Sequence, residues 1–521
     1  MPRARSRRAH ARWIKNCLRN VEWKDSLELN TPARWKTNNR GTFGLIRGLC
    51  PALALLALAA LVQPAAAQDV EPQAAAGEVT PSVQNVGASC DQPPPQGTAD
   101  TREGAARAGC GLLTRSTLTG DWYGYRSRLE EFGIKFSGRV TQFAFAISGG
   151  INNTRVPPGL GQGSTSAYTG RGEYDVLVDL EKFGGLPKGT LLIRAEHWYG
   201  KYGNVSTNTG SLAPSVFGAA LPPAPNDPGT PFLTGFLFTQ PLSKNLVVYA
   251  GKKDVLGSFD QDYFAGGDGT GQFVNQAFVA NPAFLLGLPY TSYTAGAVVP
   301  TEWGVLKAFV YDPKDRTTET LRVDDLFSKG VIVGGEVKVK SNFFGLPGEQ
   351  HVGGMWKHVG LTNLSFNEPP PGVYPEPTVP GSPTLWNSYT IYTGFDQFLK
   401  RFKEEQRRGW GLFARASLSD GNPTPVKYFV SAGIGGDSLL RSGRNDTWGI
   451  AWYYIGASTE FGVVPRAVFD PHNGTGVEAF YNFQVTPWLT VTPDVQYIQP
   501  GMRRLATHDA YIAGFRINVI L

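Results

Sequence analysis

Residues 190–199 read Thr-Leu-Leu-Ile-Arg-Ala-Glu-His-Trp-Tyr, and every second residue belongs to the same set. Leu192, Arg194, Glu196 and Trp198 share one face; Leu191, Ile193, Ala195 and His197 share the other. That period of two is a strand signature. A guanidinium, a carboxylate and an indole on one side are hydrogen-bonding groups beside an aromatic face. Glu173, Asp175 and Asp179 form a similar charged face opposite Tyr174, Val176 and Val178. Lys252 and Lys253 follow Gly251, and Asp260, Gln261 and Asp262 come shortly after. Arg415 and Arg516 lie on charged faces by the same alternation. Covalent chemistry finds no comparable equipment. His197, His351, His358, His472 and His508 lie in no His-Glu-x-x-His pattern, and no Gly-x-Ser-x-Gly stands beside a plausible triad. No enzyme, cofactor or metal site is expected.

The elements that would hold these groups are strands throughout. Val331, Val333, Val337 and Val339 alternate with Ile332, Glu336, Lys338 and Lys340. At the C-terminus Tyr511, Ala513, Phe515, Ile517, Val519 and Leu521 alternate with Gly514, Arg516 and Asn518. About sixteen strands are predicted, near 134–146, 171–182, 190–199, 231–239, 246–253, 291–299, 304–312, 330–340, 350–359, 386–398, 410–418, 427–435, 446–456, 475–485, 489–498 and 508–521. Many are about 9–11 residues long, the span of a tilted transmembrane strand. Short links such as 241–245 and 301–303 alternate with long ones such as 200–230, 254–290 and 312–329. The fold class expected is all-β: a transmembrane antiparallel β-barrel with short periplasmic turns and long extracellular loops. Its charged faces must line the interior, because an Arg at the lipid midplane costs about 2–4 kcal/mol. Loop 254–290 either folds inward and narrows the passage or stays at the surface. Trp198, Tyr199, Trp303, Tyr311, Trp356, Trp410, Trp452 and Trp488 lie near strand ends and are expected in the interfacial girdles.

The chain has 521 residues, with Gly 63, Pro 38, aromatics at 12% and charged residues at only 18%. This composition excludes a coiled coil and a charged disordered chain. The net charge of +6 is misleading until divided. Residues 1–48 hold twelve Lys+Arg and three Asp+Glu, so the remainder holds 49−12 = 37 basic and 43−3 = 40 acidic residues. The body is slightly acidic, which argues against a nucleic-acid partner. After Arg47 a charge-free run holds Leu53, Leu55, Leu56, Leu58 and Leu61, and ends at Ala65-Ala66-Ala67. That is a signal peptide over 1–67 with an extended basic n-region. Residues 68–117, rich in Ala, Pro and Gly, read as a periplasmic linker. Cys90 and Cys110 within it suit a disulfide in an exported chain, with two free thiols as the alternative. Residues 118–521 are expected to form the barrel together with a brief N-terminal periplasmic helix that Asp121 would cap, with Arg126, Arg128 and Glu130 on its wet side.

The segment Leu118-Thr119-Gly120-Asp121-Trp122-Tyr123-Gly124-Tyr125-Arg126 resembles the entrance of the carbohydrate-selective porin family, porin B type, with Tyr123 where Gly is commoner. Similarity continues at Gly411-Leu412-Phe413-Ala414-Arg415, Ser419-Asp420-Gly421-Asn422-Pro423, Tyr481-Asn482-Phe483-Gln484-Val485-Thr486-Pro487-Trp488 and Thr492-Pro493-Asp494-Val495. It runs from about residue 115 to the end. The resemblance implies a sixteen-stranded channel in the bacterial outer membrane that passes glucose and other small sugars by diffusion. Outer-membrane lipid, lipopolysaccharide and the barrel-assembly machinery would be its surroundings, as a monomer or a homotrimer. In the family the third strand carries a charged constriction, which points to Arg194, Glu196 and Trp198. A basic residue behind Gly faces the channel, which points to Lys252; Glu173, Asp175 and Asp179, on a neighbouring luminal face by alternation, would balance the lysines. Three readings compete: a general or ion-selective porin without sugar preference, a plugged adhesin barrel, and an outer-membrane enzyme.

Overall fold

Each strand of this chain interleaves apolar and polar residues, so neither face can be buried until the sheet closes on itself. A computed structural model describes residues 111–151, 165–200, 205–221, 230–285, 287–366, 384–402, 408–438, 440–441 and 444–521. The expected signal peptide, Cys90, Cys110 and most of the expected linker lie outside the described residues. Sixteen antiparallel strands form one closed barrel in chain order, with the first paired to the last. They are β1 (Ile134–Ile151), β2 (Ser166–Asp179), β3 (Thr190–Gly200), β4 (Phe232–Ser243), β5 (Leu246–Asp254), β6 (Thr291–Pro300), β7 (Gly304–Tyr311) and β8 (Gly330–Phe343). The rest are β9 (Leu346–Thr362), β10 (Thr384–Arg401), β11 (Gly409–Ser419), β12 (Val426–Asp437), β13 (Thr447–Ala457), β14 (Gly474–Thr486), β15 (Leu489–Gln499) and β16 (Ala506–Ile520). Every expected strand is present, most within a few residues of its expected bounds. Closure leaves no unpaired sheet edge.

Register decides which side chains face inward, since a slip of one residue would turn every strand inside out. Arg139 pairs with Glu173, Glu173 with Glu196, and Asp175 with Arg194. These charges therefore stand side by side on the inner wall. Ile391, Leu418, Ile450, Val495 and Phe515 are exposed on the outer wall. Trp356, Trp386, Trp452 and Tyr511 are exposed there too. Trp198 and Tyr311 depart from the expected girdle: both are buried on the inner side, within one apolar cluster.

Before β1, the chain makes a single turn, Trp122–Gly124, and then helix α1 (Tyr125–Glu131). Gly124 and not Asp121 precedes the helix, because Trp122 and Tyr123 take positive φ values of 49° and 59° and delay it. Asp121 still caps from a distance, its Oδ1 accepting from the N–H and Oγ of Ser127 at 2.8 Å. Arg126 is also not on the wet side. Its guanidinium donates to the carbonyl of Leu521 at 3.1 and 3.2 Å and to that of Phe136 at 2.8 Å.

Candidate channel constriction

The connection 255–290 between β5 and β6 runs inside the barrel. Its composition explains why: Phe259, Phe264, Phe273, Phe278 and Phe284 are all buried. Each buried ring contributes about 1.5–3 kcal/mol relative to exposure. Phe264, Phe273 and Phe278 pack against Phe398, Phe413, Phe429, Tyr453 and Phe480 of β10–β14. Two short helices, α2 (Gln276–Val279) and α3 (Pro282–Leu285), lie in this stretch. Residues 205–221 join it, with Phe217 N–H donating to the Val274 carbonyl at 2.9 Å.

The wall satisfies the loop's backbone polar groups, as burial requires. Glu478 accepts from the N–H groups of Val274 and Asn275 at 2.6 and 2.9 Å. Arg516 donates to the carbonyls of Gly269 and Gln272 at 3.0 and 2.7 Å. Arg415 holds Asp262 at 2.6 Å and the Phe278 carbonyl at 3.0 Å. His351 lies 3.0 Å from Asp260. Arg415 and Arg516, expected in the lumen, thus face inward but are covered by the loop.

The opposite wall, β1–β9, is left with charged groups along the loop's free margin. Arg139 bridges Glu173 at 2.6 Å and the loop's Asp268 at 2.7 Å. Arg194 chelates Asp175 at 2.7 and 3.0 Å and reaches Asp254 at 3.1 Å. Lys253 donates to Ser258 at 2.5 Å, and Lys307 lies 3.4 Å from Glu336. Lys338 donates to the Gln261 carbonyl at 2.7 Å and lies 3.7 Å from Glu349. Exposure separates contact groups from supports: the side chains of Arg139, Asp268, Asp254 and Asp175 are 22%, 21%, 20% and 13% exposed, whereas Arg194, Glu173, Arg171 and Glu196 are 8%, 5%, 1% and 0%.

Glu196 and Trp198 therefore face inward but are buried. Tyr290, at the end of the loop, covers them. Its hydroxyl donates to Glu196 at 2.9 Å, Arg171 bridges the same carboxylate at 2.7 Å, and Thr234 donates to it at 2.8 Å. The Arg171 guanidinium lies 5.6 Å from the Trp198 ring and 5.4 Å from the Tyr290 ring. Burial pushes the Tyr290 hydroxyl well above its ordinary pKa, so it stays a donor. This cluster fastens the loop.

Lys252 requires a larger correction. Tyr249 and Gly251 pair with the inward positions Thr239 and Leu237, so Lys252, paired with Phe236, points outward. Its ammonium donates to the carbonyls of Leu233 at 2.5 Å and Glu319 at 2.6 Å, under the 312–329 loop. Lys253 takes the inward place, one residue later.

Arg139, Lys253, Asp254, Lys307, Lys338 and Asp268 belong to the rim but were not among the expected constriction residues. Alternation through Lys135, Ser137, Arg139 and Thr141 carries a signal for Arg139. Asp268 has none, since its loop has no period. Burial opposes ionisation of the Asp268 carboxyl, but the charges of Arg139 and Arg171 outweigh it and hold the group well below the usual carboxylate range. Among the described residues, no cluster of three or more His, Cys, Asp or Glu is arranged to hold a metal ion.

Residues 163–521 match the family model described as carbohydrate-selective porin, OprB family. The entrance motif at 118–126 precedes that range. Among solved structures, the high-pH structure of Pseudomonas putida OprB is similar, with TM-score 0.63, 19% identity, and coverage of 78% of this chain and 98% of that one. At that identity the likeness speaks for the fold. The low-pH structure of the same protein aligns at TM-score 0.46 and 15% identity, over the same 78% and 98%. Among curated proteins, no sequence matches this chain.

Proposed function

The chain belongs to the OprB family of carbohydrate-selective porins, and from that premise we propose that it passes glucose and other small neutral sugars by diffusion through the gap between the 255–290 loop and the β1–β9 wall. Membership makes it an outer-membrane porin and not an enzyme. In this reading the strands span the membrane, with the short links in the periplasm and the long loops outside. Residues 1–67 act as the signal peptide and 68–117 as a periplasmic linker.

The observation that carries the sugar reading is the pairing of charges along the rim. Arg139, Arg194, Lys253, Lys307 and Lys338 stand against Glu173, Asp175, Asp254, Asp268, Glu336 and Glu349. A sugar needs donors and acceptors that replace water around its hydroxyls, but not so tightly that it cannot leave. Ionised groups supply strong directional hydrogen bonds. Because Arg139, Arg194, Lys307 and Lys338 each stand beside a carboxylate, the ring presents these groups with little net charge, and a neutral solute gains relative to an ion. Asp175 and Asp254, positioned by the buried Arg194, are the first contact residues; Arg139 and Asp268 are the second.

Liposome swelling tests this, comparing glucose with an amino acid and a salt of similar size. Glucose is expected to enter faster, and Arg194→Ala is expected to reduce its advantage several-fold. Equal entry of all solutes would leave a general porin, and no entry would indicate a plugged barrel.

A further inference from the structure

A groove of about 710 Å³ runs along the outer wall of β10–β15 near the end that carries the short links and both ends of the barrel sequence. Its volume falls within the roughly 300–1,000 Å³ of clefts that bind small molecules. Pairing fixes its construction. Lys400 stands beside Trp410, Trp410 beside Gly436, Gly436 beside Trp448, and Trp448 beside Tyr481. Gly436 makes the notch between the two indoles. It has φ +139°, and a Cβ there would meet the Gly409 carbonyl oxygen at 2.3 Å. One step toward the barrel's middle, Ile450, Ala479 and Val495 line the floor, with the small Ala479 as its low point. The groove thus has an apolar trough, an aromatic collar and an exposed ammonium at its mouth.

We propose that this groove holds one anionic glycerophospholipid of the periplasmic leaflet, its acyl chain in the trough and its phosphate on Lys400. The proposal rests on the outer-membrane placement argued above. Charge at the mouth favours a phosphate. Asp437 also lines the groove, but Arg408 lies 3.2 Å from its carboxylate and the Gly409 N–H donates to it at 2.8 Å. Arg441 is similarly matched with Asp446 at 2.5 Å. Lys400 therefore leaves the mouth positive, and Lys binds phosphate as a compact point charge. Trp and Tyr at headgroup depth, with the apolar trough continuing toward the bilayer centre, match the layering of a lipid.

Native mass spectrometry of the full-length mature protein, reconstituted in vesicles containing phosphatidylglycerol and then transferred to mild detergent, tests the site. Wild type is expected to retain one phosphatidylglycerol adduct. Lys400→Glu should lower its occupancy about fivefold, Lys400→Arg should preserve it, and Ala479→Trp should abolish it by filling the trough. Heat-modifiable mobility on gels checks that each variant is a closed barrel. Equal adducts in wild type and Ala479→Trp, or wild type free of phospholipid, would overturn the proposal. So would lipopolysaccharide in its place, because that lipid belongs to the opposite leaflet. Protein that passes glucose yet holds no phospholipid sinks this site alone. An adduct on protein that passes no sugar leaves the site standing and removes the channel reading.

Discussion

Asp268 is one carboxylate facing two guanidiniums, and the consequences can be worked out. Its salt bridge to Arg139 is 2.7 Å, and Arg139 also binds Glu173. Replacing Asp268 with Asn leaves the two arginines, Arg139 and Arg171, short of one negative charge at the open rim. The channel should then favour chloride more, with the potassium-to-chloride permeability ratio falling about twofold, by the size of a screened charge interaction. The pH dependence follows from the lowered pKa. A carboxyl held below its unfolded value of about 3.9 contributes its full attachment above that pH and loses it only as pH falls through the lower, folded value. Conductance of wild type should therefore stay level from pH 8 to pH 5, as far as Asp268 governs it, and change only under strongly acid conditions. A conductance step between pH 5 and 6 that disappears in Asp268→Asn would contradict this. Glu196 shows the opposite case: its alternation put it correctly on the inner face, but Tyr290 covers it. Alternation reports a side and says nothing of what else occupies that side.

At the scale of elements, the segment before β1 closes the seam between first and last strands. Leu118 N–H donates to the Ile520 carbonyl at 2.7 Å, and Trp488 Nε1 donates to the Leu112 carbonyl at 2.7 Å. Arg126 completes this with its bonds to Leu521 and Phe136, its guanidinium 5.3 Å from the Trp122 ring and 5.7 Å from the Phe136 ring. Hydrogen bonds from a charged donor contribute about 1.5–3 kcal/mol. Arg126→Ala should thus cost about 2 kcal/mol, seen as a lower midpoint in urea unfolding, with Arg126→Lys recovering only part. An unchanged midpoint would mean the segment merely rests on the barrel. Tyr123 sits at φ 59°, a conformation that costs a residue with a Cβ roughly 1–2 kcal/mol. The strands were legible because one period of two runs through each of them, and Val331–Lys340 or Tyr511–Leu521 leave little choice. The loop was not legible, since Phe259, Phe264, Phe273, Phe278 and Phe284 follow no period and their burial depends on walls far away in sequence, such as Phe309 for Phe259 and Phe398 for Phe264. Lys252 misled for a simpler reason: the two lysines are adjacent, and counting from Tyr249 inward selects the second.

For the whole molecule, the loop packs into the lumen and leaves a margin of charged side chains partly exposed. Buried rings tie the loop both to β7–β9 and to β10–β14, and paired charges with partly exposed side chains border it on β1, β2 and β5. An ion in the gap samples the rim as a group, because the Debye length at 0.1 M salt is about 10 Å. Five cations against six carboxylates leave the ring at 5 − 6 = −1. Behind it, Arg171 and Glu196 cancel each other. A ring this close to neutral should steer ions weakly while still offering every solute strong hydrogen-bonding partners. The expected result in a planar bilayer under a tenfold potassium chloride gradient is a reversal potential close to zero, with a slight lean toward cations. Lys307→Glu changes the sum by two charges, to −3, without touching the loop's apolar anchorage. Its reversal potential should move clearly toward the potassium equilibrium value, while glucose swelling falls by less than about twofold, because uncharged sugar does not feel the net field. A strongly ion-selective wild type would mean that a few unopposed charges dominate the gap, and the balanced ring would then no longer explain a preference for sugars.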